Sequence, residues 1–322
     1  MRDSRAPTVH MGAMTRRTAL ATAVAASLSL ALSACSMDQM ALPGTSSTSH
    51  DAMEAIYKSA PVAKPELILP GWTMETIKKR GKLVVASALD APLVSQQNPA
   101  NPQDVDGFDA DLAKLLAIYI LGKPEVEWVP STAETREALL SNGTVDVVFG
   151  TYTITTKRAQ QVSFAGPYFM SGLAVAVKSD NTTIKGAEDL ASKNVIVQTG
   201  APSVTRVPEK VPTAKLMPFA TTPGSVQALV QGRGDAFVQD YVLLASQSST
   251  NKDIKVVGAP FTEEPYGVGL KHGDAEFKTF VNTWLSTMQE QGIWSKVWKN
   301  TLGTVGDTPM PTPPAIGSVP GS

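Results

Sequence analysis

The sequence predicts an α/β fold with partly parallel sheets, and three observations carry that reading. Short apolar runs of strand length alternate with longer stretches of helical periodicity. The 322 residues are 43% hydrophobic and 18% charged, enough to bury a full core in one large or two medium domains. No internal repeat interrupts the alternation. The formal net charge of -1 gives no broad basic field, which argues against nucleic acid or an anionic membrane surface as a partner.

The elements follow in chain order. Arg16 and Arg17 precede TALATAVAASLSLALSA, an apolar run of small residues that is short for a bilayer span and flanked like a secretory signal. It ends in LSAC (32–35), which resembles the lipobox of bacterial lipoproteins; this implies a signal peptide over 1–34 and lipidation of Cys35. Two acyl chains there would anchor an extracytoplasmic protein to the membrane. A buried thiol, or an ordinary signal with a chance Cys, is the other reading. TRRTAL is also faintly similar to a twin-arginine signal. Cys35 is the single cysteine, so no intramolecular disulfide forms. Residues 35–73 mix Ser, Thr, Met, Pro and Ala without sustained period and read as a tether, with a short helix around 51–57.

Strands are expected at LVVASA (83–88), VEWVPS (126–131), VDVVFG (145–150), LAVAVK (173–178), NVIVQT (194–199), KLMPFA (215–220) and DAFVQD (235–240). Phe108–Ile120 carries a helical stripe at 108, 112, 115, 116 and 119, with acid near its positive end. One long helix is expected over about Glu276–Lys299, with Phe277, Phe280, Val281, Trp284, Leu285, Met288, Trp294 and Trp298 on its core face. The Pro- and Gly-rich residues 304–322 are expected to be disordered, because they offer too little apolar surface to offset ordering entropy.

Catalytic patterns are scarce. His10, His50 and His272 fall in the leader, the tether and a Gly-flanked turn, and neither nucleophile-elbow, P-loop, dinucleotide nor metal-ligand spacing occurs. No cofactor or metal is expected. Four places remain where polar residues stand at or near a strand's C-terminal end, where open α/β sheets form binding crevices. In TYTITTKR, Thr151 and Thr153 follow a strand, Thr155 can cap a short helix, and Arg158 lies in its first turn. A cation there opposes the helix dipole, so either a bound anion or a neighbouring acid on the surface would explain it. QTGAPS (198–203) is a helix-start turn that either offers N–H groups to an anion or is a plain connection. Asp240 either caps the next helix or serves a ligand. Arg136, early in a helix over Glu134–Ser141, reads by itself as a solvated charge.

KLVVAS, DGFDADLAKLL, TREALLSNGTVDVVFGTYTITTKRAQQVSFAGPYFMSG, EDLASKNVIVQTG, GDAFVQD and QGIWSKVWKN, in that order, resemble family 3 extracellular solute-binding proteins, the polar amino-acid receptors of ABC importers. The resemblance covers about 74–303. It implies a type II periplasmic-binding-protein fold: two α/β lobes joined by two crossing strands, closing on a ligand cleft by a hinge. Lobe 1 would be 74–171 plus 265–303 and lobe 2 172–264, with crossings near 171–174 and 264–267.

By the same resemblance Arg158 forks onto a ligand α-carboxylate beside Thr151 and Thr153, a contact that suits guanidinium geometry. Asp240 takes the α-ammonium from the opposite lobe, and Arg136 matches the cation that reads a side-chain carboxylate, which favours glutamate or aspartate. The implied role is a monomeric, membrane-anchored receptor that delivers an amino acid to an ABC permease, not an enzyme. A sensor signalling to a membrane partner is the alternative; a dehydratase-like enzyme would need a cleft acid from Glu263, Glu264 or Asp90. Two departures stand out. Pro202 occupies a position where the family offers an N–H donor, which leaves Ser203 or the N–H of Ala201 to substitute. In SALDAPLVSQQ, Asp90 is displaced and the family's framing aromatic is missing.

Overall fold

A computed structural model describes residues 47–305 and 309–322; the expected signal peptide and Cys35 lie outside the described residues. Helices α1 (Ser47–Ser59) and α2 (Thr73–Arg80) lead into β1 (Leu83–Ser87), β2 (Asp90–Ala91), β3 (Ser95–Asn98), β4 (Asn101–Asp106) and α3 (Phe108–Leu121). Next come β5 (Val126–Pro130), α4 (Arg136–Ser141), β6 (Val147–Val148), α5 (Thr156–Ala159) and β7 (Ser163–Ser171). The second lobe contains β8 (Leu173–Lys178), β9 (Asn194–Gln198), α6 (Ser203–Lys210), β10 (Lys215–Phe219), α7 (Thr222–Val230), β11 (Ala236–Asp240), α8 (Tyr241–Thr250) and β12 (Ile254–Val257). The chain then returns to the first lobe through β13 (Glu264–Leu270), α9 (Ala275–Glu290) and α10 (Ile293–Asn300).

Each lobe is built on a five-stranded sheet, ordered β5-β1-β6-β13-β7 in lobe 1 and β10-β9-β11-β8-β12 in lobe 2. The plans match: three parallel strands, then two that run antiparallel to their neighbours. Pro218, which lacks an N–H for a second ladder, lies on the edge strand β10. The lobes meet at two adjoining crossings. A Cβ on Gly172 would stand 2.3 Å from the Thr262 carbonyl oxygen, so glycine is what lets the two crossing segments touch. Leu173 N–H donates to Thr262 Oγ1 at 2.9 Å across the same junction.

Three expectations change in the folded chain. The long C-terminal helix is two helices, α9 and α10, broken at Gly292, whose φ of +67° lies in the left-handed region that glycine accepts without a Cβ clash. The core face survives the break, because Trp284 and Trp294 remain fully buried and the Trp294 indole donates to the Tyr168 carbonyl at 2.9 Å. SALDAPLVSQQ and the following residues form a small antiparallel sheet, β2-β3-β4, where no strand was expected. The third change concerns the two ends. Met53 and Ile56 of α1 and Ala63 enter the lobe 1 core, and Tyr57 donates its hydroxyl to Asp111 Oδ1 at 2.5 Å. Residues 309–322, expected to be disordered, also have a place on lobe 1: Ile316 and Val319 pack against its apolar clusters. Burying these apolar side chains offsets part of the ordering entropy.

Candidate functional site

The cleft between the sheets is narrow, with a cavity volume of about 60 Å³, and collects the C-terminal ends of strands from both lobes. Lobe 1 contributes Arg136, Thr151 and Thr153, together with Asp90 and the Ser131–Thr132–Ala133 loop. Lobe 2 contributes Ala201, Pro202, Thr221, Thr222, Gln198, Gln239 and Asp240, while Glu264 stands at the crossing.

The turn after β6 is held by its own backbone chemistry. Thr151 has φ +47°, unusual for a β-branched residue, and its N–H donates to Asp109 Oδ2 at 2.7 Å. Asp109 Oδ1 also accepts from the Tyr168 hydroxyl at 2.9 Å. Burial pushes the Asp109 carboxyl up to about 6, while these two donors pull it back. Sequence reasoning read Asp109 only as acid at a helix start; its reach to residue 151 is a tertiary fact. Thr155 caps α5 as expected, accepting from Arg158 N at 3.2 Å.

Two guanidiniums converge there. Arg136 lies over the Tyr152 ring at 3.9 Å from the centroid, and Arg158 lies 5.2 Å from the same ring. Arg136 donates to the Gly150 carbonyl at 3.1 Å, but its Nε is buried without a partner. Burial and the charge of Arg158 push Arg136 down to about 9. Arg136 is therefore no solvated helix charge, and an anion beside it would relieve both penalties.

Arg158 sits behind the cleft wall rather than on it. Its NH1 donates to Thr153 O at 2.8 Å, its NH2 reaches across to Gly200 O at 2.8 Å, and its Nε lies 3.4 Å from Glu137 Oε1. Burial holds its guanidinium below the ordinary arginine range. The two readings left open for TYTITTKR thus meet: Arg158 has a neighbouring acid, but it is 8% exposed and bonds to the opposite lobe, unlike a surface ion pair.

On lobe 2, Asp240 divides its carboxylate. Oδ1 caps α8 through Val242 N at 2.9 Å and accepts from the Tyr266 hydroxyl at 2.5 Å, while Oδ2 is buried without a well-formed hydrogen bond, the nearby Ser171 hydroxyl favouring the charged carboxylate. Burial pushes this carboxyl up to about 7. Its backbone N–H is fixed by Gln239 Oε1 at 2.9 Å, and Gln239 Nε2 donates to Gln198 Oε1 at 2.5 Å. The cap reading of Asp240 accounts for one oxygen and leaves the other outside the cap.

The QTGAPS turn offers less. Pro202 occupies the cap position of α6, and the N–H of Ala201 closes the turn onto Gln198 O at 3.1 Å. Ser203 is fully buried off the cleft wall, its Oγ without a partner, so neither substitute donor expected from sequence points freely into the cleft. Asp90 and Glu264 line the cleft and are raised by burial, whereas Glu263 lies on an outer face with Arg206 and Phe261. Among the described residues no His, Cys, Asp and Glu group has metal-site geometry.

Two matching α/β lobes, two crossings and a charged interlobe cleft define a two-lobed binding-protein fold of type II. The chain belongs to the bacterial extracellular solute-binding proteins, family 3, whose sequence pattern matches residues 83–304. The ABC transporter glutamine-binding protein GlnH of Bacillus subtilis is 33% identical over 71% of this chain and 84% of its own length. The glutamate-binding protein GluB of Corynebacterium glutamicum is 32% identical over 70% of this chain and 80% of its own. Among solved structures, a solute receptor for L-cysteine from Neisseria gonorrhoeae superposes with a TM-score of 0.70 at 28% identity, covering 76% of this chain and 98% of that one. Members of the family work outside the cytoplasm, and no described helix here is long and apolar enough to cross a membrane.

Proposed function

We propose that this protein is a receptor that captures a polar amino acid, glutamate or aspartate, and passes it to an ABC permease from a lipid anchor at Cys35. One observation carries the reading: Arg136 of lobe 1, with Arg158 on the same Tyr152 ring behind it, shares a single cleft with the half-partnered Asp240 of lobe 2. A zwitterion satisfies both sides, so closure gains from the ligand itself. Arg158 exchanges the neutral Gly200 carbonyl for the ligand α-carboxylate, a charged acceptor that forms the stronger hydrogen bond. Thr151 and Thr153 stand beside it, Asp240 Oδ2 takes the ammonium, and the free Arg136 Nε reads the side-chain carboxylate. Among the named relatives stand receptors for glutamine and for glutamate, and none of these names denotes an enzyme.

Asp90 and Glu264 support a second ligand, glutamine, because two more acids on the wall oppose a net-negative guest. Isothermal titration of the purified protein with L-glutamate, L-aspartate, L-glutamine and L-asparagine tests the assignment. Binding of an acidic amino acid tighter than its amide, lost in Arg158→Ala, is the expected result; tighter amide binding selects glutamine or asparagine. No heat with any of the four would sink the reading. The anchor has its own check: Cys35→Ser moves the protein from the membrane fraction to the soluble one.

A further inference from the structure

We infer that the C-terminal segment, residues 314–322, positions the ligand site by packing on the back of the turn that carries Thr153 and Arg158. The family pattern ends at residue 304, so this segment lies outside what the relatives share in that match. It is pinned at its start by Gln289 Nε2, which donates to Pro314 O at 3.2 Å, and by the Gly317 N–H, which donates to Gly166 O at 2.7 Å. Val319 packs against the cluster of Tyr152, Ile154, Val162 and Phe164. Tyr152 is the ring on which both guanidiniums rest. Gly321 follows at φ +93°, and a Cβ built on it would stand 2.9 Å from Ala159 Cβ and 3.4 Å from Ile154 Cγ2. The segment therefore contacts the residues that directly follow Thr153 and Arg158 in sequence.

The turn needs such support. α5 is four residues long, and a single helical turn does not hold itself, because nucleation fixes several dihedrals for one hydrogen bond. Its cap, Thr155, secures one end, and the side chain of Arg158 is committed to carbonyls on both lobes. The C-terminal segment supplies the outer wall. Without it, the guanidinium keeps its charge but loses its fixed placement, and small displacements of a charge-assisted bidentate donor weaken binding steeply.

The inference rests on the reading of Arg158 as a carboxylate clamp, and the test separates the two. The full chain is compared with Val319→Ser, Gly321→Leu and a chain ending after residue 308, by titration with L-glutamate and L-glutamine and by amide hydrogen exchange. Affinity is expected to fall about tenfold on removal of the segment and less in the point variants. Exchange at residues 158–162 is expected to quicken in all three. In an Arg158→Lys background the same changes are expected to cost little further affinity, which a merely structural role would not produce. Unchanged affinity with intact Arg158, or an equal loss in both backgrounds, overturns the inference. If the parent chain binds neither probe, exchange decides: unaltered protection at 158–162 overturns it and faster exchange upholds the packing role. Should the shortened chain fail to fold, the two point variants carry the same comparison.

Discussion

The turns at residues 150–158 and 198–206 are built alike, each a strand end opening into a short helix, yet only the first leaves binding chemistry at the cleft. In the first, Asp109 takes the Thr151 N–H and Thr155 takes the Arg158 N–H, so the backbone is satisfied and Arg136 keeps a buried Nε without a partner. In the second, Pro202 has no N–H, Ala201 turns its own inward, and Ser203 is buried away from the wall. Lobe 2 makes up the deficit elsewhere, with Asp240. The difference teaches that a helix start becomes a ligand site through the polar atoms left over after its own hydrogen bonds are made, not through its shape.

The largest effect should come from breaking the lobe 2 side. Asp240→Asn removes a cleft carboxylate that has both a buried free oxygen and a rigid setting, and amino-acid affinity should fall about a hundredfold by calorimetry. A loss comparable to a surface ion pair would mean that lobe 2 does not hold the ammonium. On lobe 1, Arg136→Gln should erase about tenfold of the preference for an acidic amino acid over its amide, while leaving amide binding nearly intact. Equal losses for both ligands would place Arg136 elsewhere in the mechanism.

pH sharpens the same contrast. The Asp240 carboxyl rises from 3.8 to about 7 on folding, so the stability it contributes is complete below about pH 4 and is lost as pH rises through 7. Ligand-free protein should lose stability over that window. A bound ammonium favours the ionised carboxylate, so affinity should tighten through pH 7 in the parent and stay flat in Asp240→Asn. Asp109, raised to about 6, and Asp111, raised to about 7, add to the stability slope of the parent, so the variant should reduce that slope without abolishing it. The smallest change tests the contact between the two turns. A Cβ on Gly200, at φ +77°, would stand 2.9 Å from the Ala133 backbone, so Gly200→Ala should hinder closure and weaken binding about fivefold. Unaltered affinity would show that the lobes need not meet there.

Much of the fold was legible because parallel strands buried on both faces read as short apolar runs. LVVASA, NVIVQT and DAFVQD each fall on a strand that the structure contains. The caps Thr155 and Asp240 were legible for an equally local reason, a side-chain oxygen within reach of its own helix start. Asp109 and Tyr266 were not, because their partners lie far along the chain, nor was Tyr152, whose ring serves guanidiniums from two different helices. The break at Gly292 was hidden within a hydrophobic stripe that continues across it.

By itself the sequence determined the alternation of strands and helices, the apolar faces and the polar strand ends, since each follows from interactions between residues a few positions apart. Only the tertiary structure decided which of those polar groups are spent and which are free. It placed Arg136 on the cleft wall and Arg158 behind it, divided the oxygens of Asp240, turned Ser203 inward and seated the C-terminal segment on lobe 1. The physical reason is that a hydrogen bond or a desolvation penalty depends on every neighbour in space, and those neighbours here come from both lobes.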